Sequence, residues 1–219
     1  MPLVYLVDER INHPRSLLAT VPDVDLGILV DATMPIVEIL SKVIEGLGGM
    51  EQGGGQTRSK NFREASAAPM ITGLRIFAHG DSHQVHLGRG IHLRNVVQLT
   101  PLASHMRTGA SGECLLLGCN VAMDTFRPER FLGGSAMGQR FGSPLYGWTS
   151  DELAIREGSG YRLLHAMART LGVPTTAGLD TQTLAYDAHF LGATMTVDPY
   201  GKATFTGMDT PVAFMLQRD

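Results

Sequence analysis

Two short apolar runs, each followed at once by a reactive side chain, limit the possible folds of this chain more than any other feature. Residues 74–78 (LRIFA) precede His79, and residues 114–118 (CLLLG) precede Cys119. Nearly continuous apolar runs that stop at a polar or glycine-containing turn are typical of buried parallel strands. If both strands run the same way in one sheet, His79 and Cys119 emerge at the same carboxyl edge, where open α/β sheets place their chemistry.

A thiol beside an imidazole is a nucleophile paired with a base, because histidine can stabilise the thiolate that attacks. Cys114 and Cys119, the two cysteines of the chain, stand at opposite ends of one predicted strand. An extended chain separates their Cα atoms by about 16 Å, far beyond the reach of a disulfide. Cys119 is therefore predicted to be a free thiol. Cys114 has no histidine in a comparable position, and we expect it to be inert.

The rest of the chain alternates strand and helix patterns, which favours an α/β fold with a mainly parallel sheet flanked by helices. Its length of 219 residues suits a single domain, residues 1–219, with one sizeable core. The other predicted strands are Leu3–Val7, Leu26–Val30, Gln84–Leu87, Gly90–Leu93, Pro144–Trp148 and a C-terminal antiparallel hairpin of Gly192–Val197 and Ala203–Thr206. The predicted helices are a short one from His13, then Met34–Leu47, Val96–Met106, Ser135–Phe141 and Tyr161–Leu171.

Five of the predicted core strands end in polar or reactive side chains. These strand ends are Asp8, Asp31, His79, Cys119 and the group at residues 149–151. Strands have to stop in polar residues, so any one of these positions is unremarkable. In a parallel sheet, however, they collect along one edge, and together they predict a cleft there.

Residues 48–69 interrupt the pattern of strands and helices. The segment is polar and glycine-rich, begins at Gly48-Gly49 where the preceding helix is predicted to end, and is longer than an ordinary connection. We expect a mobile insertion here. It is either an exposed loop without a role or a loop that is processed or recognises substrate.

Charge and hydropathy exclude several classes of protein. A formal net charge of −3 gives no basic footprint for nucleic acid. The chain has no apolar run near the roughly 20 residues that a membrane-spanning helix needs, so we expect no membrane insertion. The opening MPLVYLVDER lacks the features of an ordinary secretory signal. We expect a cytoplasmic protein, or one exported by a route without such a signal.

An apolar strand ending in His-Gly, followed by one ending in Cys, resembles the signature of the caspase-like (clan CD) cysteine peptidases. The resemblance is carried by IFAHG at residues 76–80 and LLLGCNVA at residues 115–122, at about the interval expected for caspases. More narrowly, residues 3–151 are similar to caspase-fold modules of large bacterial surface proteins, which often have no assigned function. The resemblance implies a caspase-like three-layer fold.

It also implies roles for particular residues. Cys119 would be the nucleophile, His79 the general base or proton shuttle, and the backbone amides of Gly80 and Cys119 the donors that stabilise the oxyanion. The function implied is a cysteine endopeptidase that acts on a protein or peptide through an acyl-enzyme thioester, with no cofactor. Several relatives are made as inactive precursors, so activation by processing, by homodimer formation or by a ligand is expected, with the segments 48–69 and 123–134 as candidates for movement.

The chain departs from its better-known relatives around the substrate pocket. It lacks the caspase Gln-Ala-Cys-x-Gly pattern, since Gly118 precedes the cysteine, and Leu117 stands where metacaspases carry an acidic pocket residue. If an acidic pocket exists, Asp31 and Asp151 are the strand-end candidates. They would favour Arg or Lys before the cleaved bond.

Two other functions stay open. A caspase fold can persist as a catalytically inactive binding or interaction module, because a fold alone does not decide function. A zinc-stabilised fold is suggested by four histidines in one stretch, since imidazoles suit zinc. They are His79, His83, His86 and His92. Alternation along a strand would place His83 and His86 on opposite faces, which weakens a common zinc site.

Overall fold

The computed structural model describes residues 2–21, 23–52, 70–81, 83–108, 112–118, 121–122, 159–179, 190 and 194–206. Over these residues the central sheet has seven strands: β1 (Leu3–Asp8), β2 (Leu26–Val30), β3 (Gly73–Phe77), β7 (Glu113–Leu116), β8 (Thr175–Gly178), β9 (Thr194–Val197) and β10 (Ala203–Thr206). A small second sheet contains β4 (Gly80–Asp81), β5 (Gln84–Val85) and β6 (Ile91–His92). The helices are α1 (Pro14–Thr20), α2 (Ile36–Gln52), a 3₁₀ helix (Val96–Leu99), α3 (Thr100–Ala103) and α4 (Ser159–Leu171).

The central sheet is mainly parallel, as the sequence predicts. Its strand order is β2-β1-β3-β7-β8-β9-β10, and the first five strands of this order are parallel to one another. Strands β9 and β10 are antiparallel, which confirms the C-terminal hairpin. Its turn is organised by Asp198, whose carboxylate accepts hydrogen bonds from the amides of Tyr200 and Lys202, both at 2.9 Å.

Helices cover both faces of the sheet. On one face, α2, the 3₁₀ helix, α3 and α4 enclose the larger core with alternate residues of the strands. On the other face, α1 buries Leu17 against a smaller cluster that includes Tyr5 and Phe77, whose rings stack with centroids 5.9 Å apart. The alternation of side chains along the strands supplies both cores from β1, β2, β3 and β7.

Helix α2 extends further than the sequence pattern indicates. Its buried face includes Ile36, Leu40, Val43 and Leu47, in the predicted helical spacing. The prediction that it ends at Gly48-Gly49 is wrong, because the helix continues to Gln52. Glycine lowers helix propensity by only about 1 kcal/mol, and the following Met, Glu and Gln are good helix formers. The remainder of the predicted insertion, residues 53–69, lies outside the described residues.

Three other predictions about secondary structure differ from the fold or fall outside it. The helix expected over Val96–Met106 is divided into the 3₁₀ helix and α3, with Pro101 in the first turn of α3. Strand β8 was missed, because its sequence TTAG has no apolar run. The strand expected at Pro144–Trp148 and the helix at Ser135–Phe141 lie outside the described residues.

Among the helices that the structure describes, none is long and apolar enough to cross a membrane.

Candidate active site

Strands β3 and β7 are adjacent and parallel, so the segments that precede His79 and Cys119 run side by side. Their register pairs Gly73 with Glu113 and Ile76 with Leu116. Beyond the last paired residues, the amide of Leu117 donates a 2.8 Å hydrogen bond to the carbonyl of Ile76. The two strands therefore end together at one carboxyl edge, as the apolar runs predict.

At these strand ends the backbone of Gly118 packs closely against the backbone carbonyl of Ala78. A Cβ atom on Gly118 would lie 2.5 Å from the carbonyl oxygen of Ala78, which is closer than real Cβ atoms approach backbone. Only glycine fits at residue 118 without a shift of one strand end. Ala78 directly precedes His79, and Gly118 directly precedes Cys119.

The chain that follows residues 119–120 is also held at this edge. Val121 and Ala122 are fully buried, and the amide of Ala122 donates a 3.2 Å hydrogen bond to the carbonyl of Gly178 at the end of β8. Helix α4 begins against them, since a Cβ on Gly160 would lie 2.8 Å from the carbonyl oxygen of Val121. Cys119 itself lies outside the described residues.

His79 is exposed at the end of β3, and its ring has one described partner. Nε2 lies 3.2 Å from the carbonyl oxygen of Arg10. A carbonyl oxygen can only accept a hydrogen bond, so Nε2 carries the proton. In the neutral ring the lone pair is then on Nδ1, the nitrogen that can take up a proton.

The main chain of His79 is held by the small sheet. Its carbonyl accepts a 2.7 Å hydrogen bond from the amide of His86. Gly80 then enters β4, where it pairs with Val85 of β5. The ring and the backbone of His79 are thus fixed by different parts of the chain.

Asp8, at the end of β1, forms an ion pair with the partly exposed side chain of Arg10. The carboxylate is completely buried, and it accepts hydrogen bonds from Arg10 Nε at 2.7 Å and Arg10 Nη2 at 2.8 Å. It also accepts from the amides of Arg10 at 3.0 Å and Gly88 at 2.9 Å. Burial by itself would raise the pKa of Asp8, but the hydrogen bonds from Arg10 and Gly88 outweigh it and hold that pKa below its usual value.

The guanidinium of Arg10 reaches across to the small sheet. Its Nη2 donates to the carbonyl of Gly88 at 2.8 Å and to the carbonyl of His86. Gly88 has a φ of +57°, which glycine adopts readily. The Asp8–Arg10 pair therefore connects the end of β1, the turn between β5 and β6, and the ring of His79.

Asp31 follows β2 at the same edge of the sheet, with β1 between it and β3. Its exposed carboxylate accepts hydrogen bonds from the hydroxyl and, at 2.7 Å, from the amide of Thr33. These two bonds are the largest causes that lower the pKa of Asp31. Asp151, the other residue predicted to form an acidic pocket, lies outside the described residues.

The histidines of the small sheet contact neighbouring side-chain and backbone groups of the protein. His86 Nε2 lies 3.1 Å from a carboxylate oxygen of Asp81 and 3.0 Å from the side-chain nitrogen Nε2 of Gln84. His92 Nδ1 accepts a 3.2 Å hydrogen bond from the amide of Arg94. In the part of the chain that the structure describes, no three His, Cys, Asp or Glu side chains are grouped as metal ligands.

Sequence reasoning missed Arg10 and Gly88 as parts of this site. Arg10 stands two residues after a strand end, in the run VDER, where an exposed charge is the ordinary expectation. Gly88 falls between the predicted strands Gln84–Leu87 and Gly90–Leu93, where a glycine is ordinary in a turn. Neither residue carries a local signal for its contacts, because the atoms that they join are about 80 residues apart in the chain.

Comparisons with known proteins do not assign the chain to a family. No protein-family model matches the sequence. No curated protein matches it. No solved structure matches the fold.

Proposed function

We propose that the protein is a cysteine endopeptidase in which Cys119 is the nucleophile and His79 its proton acceptor and donor. The proposal extends the resemblance to caspase-like peptidases. Two observations support it. Strands β3 and β7 pair in parallel, and the backbone of Gly118 packs closely against that of Ala78. The residues that directly precede Cys119 and His79 therefore lie side by side.

The single observation that carries the proposal is the contact between His79 Nε2 and the carbonyl oxygen of Arg10. This contact assigns the ring proton to Nε2 and leaves Nδ1 as the basic atom. A histidine that serves as a base needs this arrangement, in which one nitrogen is anchored and the other is available. The exposure of His79 leaves the ring accessible from solvent.

The proposed reaction has two halves. In the first, the thiol proton of Cys119 passes to Nδ1 of His79, and the sulfur bonds to the peptide carbonyl carbon. The carbonyl oxygen becomes an oxyanion beside the amides of Gly80 and Cys119. The C–N bond then breaks as the imidazolium returns its proton to the leaving amine. In the second half, water gives a proton to Nδ1 of His79 as its oxygen bonds to the thioester carbon. The C–S bond then breaks, the acid product leaves, and the proton returns to the sulfur of Cys119.

The proposed substrate is a protein or peptide. Asp31 and Asp151 stay as proposed contacts for Arg or Lys before the cleaved bond. Asp31 is exposed after β2, and an aspartate is charged at neutral pH, as a contact for Arg or Lys requires. Activation by processing, dimer formation or a ligand also belongs to the proposal. A monomer that cleaves a target at full rate without processing or ligand would count against it.

Alkylation of the cysteines by iodoacetamide as a function of pH tests the proposed pair without a substrate. Cys114 serves as an internal reference, because it is fully buried and its burial raises the pKa of its thiol to about 12. We expect rapid labelling of Cys119 well below the ordinary thiol pKa of about 8.5. Cys114 should be labelled only after denaturation, and mass spectrometry distinguishes the two sites.

Histidine variants complete the test. His79→Ala should abolish the rapid labelling of Cys119, whereas His83→Ala should retain it, since the His83 side chain is 72% exposed on the neighbouring turn. If this pattern is seen, a peptide library should show cleavage with an acyl-enzyme intermediate. Slow labelling of Cys119 that His79→Ala leaves unchanged would contradict the proposal and would favour a non-catalytic binding module.

A further inference from the structure

We propose that Asp8 and Arg10 are positioning residues for His79: the backbone carbonyl of Arg10 holds the ring, and the guanidinium of Arg10 holds the main chain of that histidine through the small sheet. The inference rests on the proposed function of His79 for its role in catalysis. The positioning itself can be measured whether or not the protein cleaves peptides.

The first route runs through the backbone of Arg10. Its carbonyl oxygen accepts the Nε2–H of His79 at 3.2 Å. The position of that carbonyl depends on the turn after β1, and Asp8 closes this turn by accepting the Arg10 amide at 3.0 Å and Arg10 Nε at 2.7 Å. Loss of the ion pair would release the turn and the carbonyl that orients the ring.

The second route runs through the side chain of Arg10. Nη2 bonds to the carbonyl of His86, and the amide of the same residue bonds to the carbonyl of His79 at 2.7 Å. Gly88 strengthens this route, because its carbonyl accepts from Nη2 at 2.8 Å and its amide donates to Asp8 at 2.9 Å. The small sheet is therefore fastened to β1 at the place where it holds the backbone of His79.

Only arginine can make this set of contacts. Two nitrogens of one planar guanidinium contact both oxygens of Asp8, and one of the two also reaches two carbonyls. A lysine ammonium is a single point charge on a flexible stem and cannot span these acceptors in one geometry.

A purely stabilising role is a poor explanation for this pair. Burying a carboxylate carries a large cost of desolvation, and an apolar pair of similar volume is often as stable. Asp8 is completely buried, and its two oxygens accept hydrogen bonds from Arg10 and Gly88. These are the residues that connect the end of β1 with His79 and with the small sheet. The arrangement is better suited to holding one geometry at the strand ends.

The experiment compares Arg10→Lys and Asp8→Asn with the matched control Arg75→Lys. Arg75, in the middle of β3, forms an ion pair with Glu113 at the start of β7, on the side of the sheet away from the carboxyl edge where His79 stands. All three variants remove a guanidinium–carboxylate contact, so each should lower the resistance to urea. Only the first two should affect His79.

Two readouts separate positioning from stability in protein that is still folded. The ¹⁵N shifts of the His79 ring at pH 8.5 should report one tautomer, protonated at Nε2, in the wild type and in Arg75→Lys, but shift toward averaged values in Arg10→Lys. The alkylation rate of Cys119 at pH 6.5 should fall by about 10- to 100-fold in Arg10→Lys, because a small misplacement of a catalytic group costs on that order.

The two proposals fail in different ways. If wild-type Cys119 shows no rapid labelling at low pH, the proposed peptidase function fails, and the ring shifts alone decide the positioning. If folded Arg10→Lys keeps both the wild-type ring shifts and the wild-type labelling profile, the positioning proposal is overturned. Asp8→Asn places an amide NH₂ toward the Gly88 amide and risks misfolding. Arg10→Lys is therefore the variant that decides the positioning proposal. The Arg10 side chain is 40% exposed, so this change should leave the protein folded.

Discussion

Gly118 lies against the carbonyl oxygen of Ala78 so closely that a Cβ atom would be 2.5 Å from that oxygen. The contact joins the ends of β3 and β7 by their backbones. It also sets the spacing between the residues that directly precede His79 and Cys119. A substitution at residue 118 therefore tests the geometry of the proposed site without touching either reactive side chain.

Gly118→Ala should destabilise the protein by about 1–3 kcal/mol, the usual cost of extra atoms in a closely packed region. The clashing atom belongs to the backbone of Ala78, so a rotamer change cannot relieve the contact. Urea unfolding at pH 7 measures the loss. The rapid alkylation of Cys119 should slow in the folded variant, because one strand end has to move.

Gly48→Ala and Gly49→Ala are matched controls that should raise the stability of the protein instead of lowering it. Both glycines lie inside α2, and a Cβ at either position meets nothing within 4 Å. Each change should stabilise the protein by about 0.5–1 kcal/mol, since alanine has the higher helix propensity. If Gly118→Ala unfolds at the wild-type urea concentration, the close contact at the strand ends is wrong.

Gly88→Ala should be far more damaging than Gly172→Ala, although both glycines have a positive φ. Gly172 follows α4 with a φ of +72° and open space around it, so only the backbone strain of about 1–2 kcal/mol applies. At Gly88 the φ is +57°, and a Cβ would also lie 2.3 Å from the carbonyl oxygen of Met34.

Gly88→Ala should therefore lose about 1–3 kcal/mol more than Gly172→Ala in urea unfolding. It should also disturb the ¹⁵N ring signals of His79, because Gly88 contacts Asp8 and Arg10. Equal losses at the two positions would show that the turn between β5 and β6 is not packed as described.

The free energy of unfolding should fall as the pH is lowered below about 4. The folded pKa of Asp8 lies below its unfolded value, near 3.9. The stability that this difference supplies is fully present above the unfolded pKa and is lost as the pH falls through the folded pKa. The hydrogen bonds to Asp31 and Asp81 lower the pKa of each carboxyl and act in the same direction.

Urea unfolding at pH 7, 5, 4 and 3 checks this dependence. Wild type should be more stable than Asp8→Asn at pH 7, and the difference should narrow below pH 4 as Asp8 becomes protonated. A difference that stays constant from pH 7 to pH 3 would mean that the Asp8 carboxylate is not stabilised by Arg10 and Gly88.

Local patterns determined most of the secondary structure and the parallel sheet. The apolar runs at residues 3–7, 26–30, 74–78 and 114–118 all became adjacent parallel strands, since a run that is buried on both faces has few other places in a fold. Asp8, Asp31 and His79 meet at one edge of the sheet because their three strands are parallel and all end there. The helical period of α2 and α4 and the turn at Asp198 were equally readable.

Only the tertiary structure decided which atoms meet at that edge. By sequence, Arg10 and Gly88 are ordinary turn residues, but the fold brings them together with Asp8 and His79 across 69 to 80 positions of the chain. Strand β8 is also a product of its neighbours, because TTAG lacks an apolar run and becomes a strand by pairing between β7 and β9. Periodicity is a property of neighbours in the chain, whereas hydrogen bonds and close packing depend on neighbours in space.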